Sequence, residues 1–282
     1  MLTTAVKVRI PINERSPMSF PFPCGSRAVI GVVHLPALPG SPGHSLSRSE
    51  IFDHALADAR ALFDGGVSGV VVENFGDAPF FPDHVPQHTI ADMTVIVRAI
   101  TALNPAIPVG VNVLRNDASA ALAIAAASEG CFIRVNVHTA AMLTDQGWIE
   151  GKAQRTLRER KALGADHIAI AADVGVKHAL RPDGFDLTQA AKDVTLRGQA
   201  GAVIVTGAAT GAAADLHELQ VVRDAVPSTP VFVGSGVDIH NIGSILDIAD
   251  GVIVGTSLKA GGDVASPVDV ERVKGLVAAA GR

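Results

Sequence analysis

The 282-residue chain is 48% hydrophobic and 18% charged, with a formal net charge of −5, no Tyr and one Trp. An acidic balance with so few stacking aromatics leaves no electrostatic footprint for DNA or RNA, so no nucleic-acid partner is expected. The two cysteines, Cys24 and Cys131, form neither a disulfide framework nor a zinc spacing, which points to a reducing, cytoplasmic setting.

Residues 1–26 carry Pro11, Pro17, Pro21 and Pro23 among scattered charges. They lack the basic start and apolar block of a secretory signal and read instead as an irregular N-terminal arm. From residue 27 onward, short β-branched runs alternate with longer amphipathic ones. The strand candidates are 28–34 "AVIGVVH", 69–74 "GVVVEN", 108–113 "PVGVNV" and 132–137 "FIRVNV". Four more follow at 167–173 "HIAIAAD", 202–206 "AVIVT", 230–234 "PVFVG" and 251–255 "GVIVG". All are apolar with little alternation, as expected of strands covered on both faces. No apolar run approaches the roughly 18 residues of a spanning helix, so peripheral association is the only membrane contact expected.

Between these runs lie helical stripes: Ile90, Met93, Val97 and Ile100; Leu219, Val222 and Val226; Val270, Val273, Val277 and Ala280. Ser47 with Glu50 reads as a capping box, and Asp186 as a cap before "LTQAAKDV". Glycines in "FDGGVSGV", "ASEGCFIRV", "KALGADHIAI" and "GQAGAVIV" are expected to end helices in the left-handed conformation. Eight strand–helix units with no break in composition predict a single (β/α)8 TIM barrel over 27–282, with the arm 1–26 wrapping it or a partner. The rival doubly wound sheet would carry a G-x-G-x-x-G after its first strand, where this chain has "LPALPGSPGHS".

In such a barrel the C-terminal strand ends build the active site, and the loops after the last two strands often bind phosphate. "VGSGVD" and "VGTSLK" occupy that place. Gly234, Gly236 and Gly255 would let backbone N–H groups approach an anion, while Ser235, Thr256 and Ser257 add hydroxyls and Lys259 a point charge. The bland alternative is two tight turns. A third Gly-rich loop, "VTGAATGAAAD", opens with Thr206 and reads as another pocket wall or as a plain turn.

The other strand ends carry His34, Glu73, Asn74, Asn112, Arg134, Asn136, His138 and Asp173, followed by Lys177 and His178. Charged and amide groups at buried tips need partners or a ligand. Glu73 and Asp173 are the candidate general acid/base residues, with a structural ion pair to Arg134 or Lys177 as the competing role. His34 fits a proton carrier, a metal ligand or a brace for the Pro-rich loop. Lys177 fits a Schiff base or, more simply, an anion contact, with His178 beside it. Asn74, Asn112, Arg134, Asn136, His138 and Thr206 are candidate substrate contacts. No motif requires a cofactor; a divalent metal on His34, Glu73, His138 and Asp173 is compatible, but no short ligand spacing demands one.

These motifs in order, "GVVHLPALPGSP", "VVENFGDAPF", "VNVLRND", "IRVNVHTAAMLTDQGWIEG", "AADVGVKHA", "VTGAATG" and "VGSGV…GVIVGTSLK", make the chain resemble the BtpA/SgcQ family of TIM-barrel proteins. The resemblance covers nearly everything from about residue 27 onward and implies Asp77 as a further pocket candidate. Cyanobacterial members are linked to photosystem I accumulation and lie peripherally on thylakoids, whereas SgcQ-type members are described as nucleosidase-like or sugar-metabolism enzymes. The expectation is an enzyme acting on a phosphorylated sugar or nucleotide, and a homo-oligomer. The alternative is a non-catalytic assembly or stability factor for a membrane complex such as photosystem I.

Overall fold

The structure is a computed structural model that describes residues 19–176, 179–207 and 215–281. The first half of the chain runs β1 (Ala28–His34), α1 (Arg48–Asp64), β2 (Gly69–Glu73), α2 (Gln87–Leu103), β3 (Val109–Asn112), α3 (Ala118–Ala127) and β4 (Phe132–Val135). Two short strands, β5 (Ala141–Thr144) and β6 (Gly147–Glu150), precede α4 (Ala153–Ala162), β7 (Ala169–Val174), β8 (Ala179–Leu180) and α5 (Leu187–Lys192). The remainder is β9 (Ala202–Val205), α6 (Leu216–Ala225), β10 (Val231–Val233), α7 (Ile242–Leu246), β11 (Gly251–Val254) and α8 (Val270–Ala279).

Eight strands close into a parallel barrel in the order β1-β2-β3-β4-β7-β9-β10-β11, with β11 pairing back onto β1. All eight expected runs supply them, the fifth shifted to begin at Ala169 and end at Val174. The expected helix stripes face the barrel: Met93, Val97 and Ile100 are buried on α2, Leu219 and Val222 on α6, and Val273 on α8. Ser47 and Glu50 form the capping box of α1, and Asp186 accepts from the Gln189 N–H to cap α5. Two helix exits differ from expectation. Glu129 and Gln199, not the glycines beside them, take the positive-φ position. Gly130 is needed for closeness instead, since a Cβ there would sit 3.1 Å from the Ala125 backbone.

Inside the barrel, alternate residues of each strand point to the axis. At the N-terminal end they are small: Ala28, Gly69, Ala169, Ala202 and Gly251. The space they leave is filled from the arm. Phe20 and Phe22 enter the barrel and meet Phe132 and Phe232, with Phe20 edge-to-face at 5.2 and 5.3 Å. A Cβ on Gly69 would lie 2.6 Å from the Phe22 ring, so glycine is what admits the aromatic. Asp250 fastens this plug by accepting from the Gly25 N–H (2.6 Å), while its carbonyl accepts from the Ser26 hydroxyl (2.9 Å). The last residues expected in a wrapping arm therefore belong to the core.

β5, β6 and β8 form a three-stranded antiparallel sheet that the strand reading did not anticipate. Its turn is built by Thr144, which accepts from the Gln146 N–H and donates to the Gly147 carbonyl, with Gly147 at φ +90. One face packs Met142 and Ile149 onto Val137 and Val176. The other carries Leu143 in register with Trp148 and Leu180, which are 59% and 69% exposed. No helix among the described residues is long and apolar enough to cross a membrane.

Candidate functional site

Strand alternation decides which polar tips reach the axis. Ile30, Val32, Val71, Phe132, Ala171, Ile204 and Ile253 line the interior. The next inward positions are therefore His34, Glu73, Asn112, Arg134, Asp173, Thr206, Gly234 and Gly255. Ladder register sets His34 opposite Glu73, Glu73 opposite Asn112, and Asn112 opposite Arg134, which makes four neighbouring strands one polar row.

That row is paired internally. The Asn112 amide donates to Glu73 Oε2 at 2.6 Å, and His34 Nε2 lies 3.9 Å from Glu73 Oε1. The His34 ring packs on Phe75 at 4.7 Å. Arg134 donates through Nε and Nη2 to both oxygens of Asp173, each at 2.9 Å, and the Asn136 amide adds a longer contact of 3.4 Å. Burial pushes the Arg134 guanidinium down, but the Asp173 charge and hydrogen bonds outweigh it and hold it above its ordinary value. Such two-point pairing is what makes a fully buried ion pair tolerable.

Above the row, the turns after β10 and β11 close on one another. Ser257 Oγ donates to the Val237 carbonyl at 2.6 Å, tying the two turns together. Ser235 Oγ accepts from the Gly207 N–H at 2.9 Å, which leaves its own proton available to a ligand. Gly236 sits at φ +69, and a Cβ on Gly255 would come within 2.4 Å of the His34 ring. Between the turns and the row is a cavity of about 360 Å³. Its lining brings together Gly234, Ser235, Gly236, Gly255, Thr256 and Ser257 with His34, Glu73 and Arg134.

Other expected site residues lie elsewhere. Lys259, expected to meet an anion, is 1% exposed and pairs with Asp58 of α1 at 2.5 Å; it locks the last loop to the helix layer. His138 lies past the end of β4 and donates from Nε2 to the Gly198 carbonyl at 2.8 Å. Burial, with the charge of Arg160, holds its pKa below the ordinary value despite that hydrogen bond. Asn74 has outward parity: it accepts from the Leu114 N–H and donates to Asp77, which in turn accepts from the Leu38 N–H. Asn74 and Asp77 are thus braces between the first three loops.

Asp173 is held by Arg134 and does not line the cavity, so the ion-pair role considered for it is the one the geometry gives. Asn112 and Asn136 donate to Glu73 and Asp173 and do not themselves line the cavity. Thr206 is buried beneath the first turn, its Cγ2 3.1 Å from where a Gly234 Cβ would be. Lys177 and His178 lie outside the described residues. The set considered for a metal is scattered: His138 and Asp173 have other partners, and among the described residues no group of three or more His, Cys, Asp or Glu is placed to hold an ion.

Two arginines were missed. Arg115 is buried beyond β3, where burial pushes its guanidinium down against the pull of Asp173, Asp145 and Glu73. Arg272 lines the cavity from the first turn of α8 and donates from Nε to the Ser257 carbonyl at 2.8 Å. Its signal was legible, because a cation in a helix's first turn opposes the macrodipole and invites a reason.

The BtpA family model matches residues 25–282. Photosystem I biogenesis protein BtpA of Synechocystis sp. is 48% identical over 89% of this chain and 87% of its own length. Among solved structures, native KDPGal superposes with a TM-score of 0.55 at 16% identity, covering 89% of this chain and 93% of that one. N-(5'-phosphoribosyl)anthranilate isomerase from Pyrococcus furiosus gives 0.54 at 14%, covering 90% and 98%. At such identities the structural likenesses establish the TIM-barrel fold alone.

Proposed function

The chain belongs to the BtpA family, and on that premise we propose that it is an enzyme acting on a compact phosphorylated molecule, a sugar phosphate or nucleotide. The observation that carries this reading is the shared cavity: two glycine turns with a hydroxyl donor at one end, and Glu73 with His34 at the other. Backbone N–H groups at glycine turns are suited to phosphate oxygens, and anchoring there holds the rest of the ligand over the acid–base pair. A volume of about 360 Å³ is at the small end of ligand pockets and suits a monophosphate.

Glu73 is the proton-transferring carboxylate of this proposal. Asn112 fixes one of its oxygens, and the other faces His34, which would relay or supply the second proton. Arg134, held on both oxygens of Asp173, lines the cavity floor as a paired, polar wall. Cleavage of an N-glycosidic bond or isomerisation both need this pair and little else, and are preferred over aldol-type lysis.

Thermal shift against a panel of sugar phosphates and nucleotides identifies the ligand; one present at about 100 times its Kd adds about 2.7 kcal/mol of stability. With that ligand, Glu73→Gln is expected to keep binding and lose about 10²–10⁴-fold in turnover. Unchanged turnover would remove the assignment. The 48% likeness to a photosystem I biogenesis protein favours a second reading, an assembly factor. A flat panel, with partner capture indifferent to cavity substitutions, would support that one instead.

A further inference from the structure

The geometry points to Arg272 as the residue that gives the cavity its selectivity for a doubly charged phosphate, an assignment that rests on the anion-site reading above. A cradle of N–H groups and hydroxyls offers hydrogen bonds but no full positive charge, and two other cations expected or found near it are paired with acids. Lys259 is buried against Asp58, and Arg134 is held on both carboxylate oxygens of Asp173. Arg272 differs from both. It lines the cavity, and among the described residues no carboxylate pairs with its guanidinium.

What holds Arg272 is a carbonyl. Its Nε donates to Ser257, the residue whose hydroxyl ties the second turn to the first. One N–H of the planar guanidinium is thereby fixed, and the two terminal nitrogens remain to meet an anion. Gly262, whose φ of +72 suits glycine, lies alongside them: a Cβ there would be in ordinary contact, 3.7 Å from Nη2.

Position in the helix supports the same role. Asp269 caps α8 by accepting from the Glu271 and Arg272 N–H groups, so Arg272 stands in the first turn, at the positive end of the dipole. A cation is unfavourable there by itself and favourable when an anion lies between it and the glycine turns. The bound phosphate would then be held by backbone N–H groups and Ser235 from within and by Arg272 from the solvent side. Neutral ligands and monoanions gain less from that arrangement than a dianion does.

The test is calorimetric titration of the full chain with inorganic phosphate at pH 8, at about 0.05 and about 0.3 M salt. Wild type, Arg272→Gln, Arg272→Lys and Ser235→Ala are compared, with the melting midpoint as a check of folding. Arg272→Gln is expected to weaken phosphate by about ten-fold or more at low salt and to flatten the salt dependence, with Arg272→Lys recovering part of both. A residue that merely braced Ser257 would leave the salt dependence unchanged. Weakening by Ser235→Ala with Arg272→Gln indistinguishable from wild type would overturn the assignment and leave the cradle standing. No saturable phosphate binding by wild type would overturn the anion site itself.

Discussion

At the N-terminal end of the barrel, Phe20, Phe22, Phe132 and Phe232 pack on one another, mostly edge to face, over glycine and alanine, in a cluster that is apolar among the described residues. At the C-terminal end the same strands carry His34, Glu73, Asn112, Arg134 and Asp173 beneath two open glycine turns. One end contributes burial and is closed; the other keeps a cavity and pairs the charges buried in its floor. Side chains only two to four residues apart on one strand thus do opposite work, which teaches that depth along the barrel axis governs a residue's role more than its chemical type.

That contrast can be broken from either side. The largest effect is expected at the plug: Phe20→Ala or Phe22→Ala should cost about 3–5 kcal/mol in urea denaturation. Anion affinity, measured on the folded fraction, should stay unchanged. A plug variant that loses phosphate binding while still folded would show that the two ends are coupled.

Next comes Lys259→Met, which leaves Asp58 buried without its cation and should cost about 3 kcal/mol or more. Asp58 keeps the Val268 N–H as a donor, so the cost is expected at the low end of that range. Phosphate affinity should hold, because the lysine faces the helix layer. A variant of ordinary stability with weakened phosphate binding would restore Lys259 to the site and blur the line between its role and that of Arg272.

The smallest effect is a slope. Burial holds the His138 pKa below its ordinary 6.5 in the folded chain, so the unfolded chain binds the proton more readily. Stability from this group is fully present above about pH 6.5 and falls as pH drops toward and through the folded-state value. His138→Gln should shift the whole stability curve but flatten its decline on the acid side. An equally steep acid limb in the variant would assign the decline to other groups.

Much of this was readable in advance, and the reasons are local. The eight strands stood out as short apolar runs whose ends carry His34, Glu73, Asn112, Arg134 and Asp173; the closed barrel then shows these five to share inward parity. Glycine at 234, 236 and 255 marked the two turns that border the cavity. Position at a strand end misled where the strand had already stopped: His138 lies three residues past β4, and its direction is set by the loop. Lys259 follows a one-turn 3-10 helix over Thr256–Leu258, which carries it away from the mouth. The aromatics of "SFPFP" gave no periodic signal, because their partners are on strands far along the chain.

From the sequence alone came everything that depends on spacing over a few residues: strands, helix faces, caps, and the family pattern that runs from "GVVHLPALPG" to "VGTSLK". Tertiary structure alone decided which charges neutralise one another. Lys259 and Asp58 are 201 positions apart and yet in contact, whereas the Arg272 guanidinium lines the cavity with no carboxylate pairing it among the described residues. Electrostatic energy falls with distance through space and is indifferent to distance along the chain, so only the closed barrel could show which cations are paired and which are not.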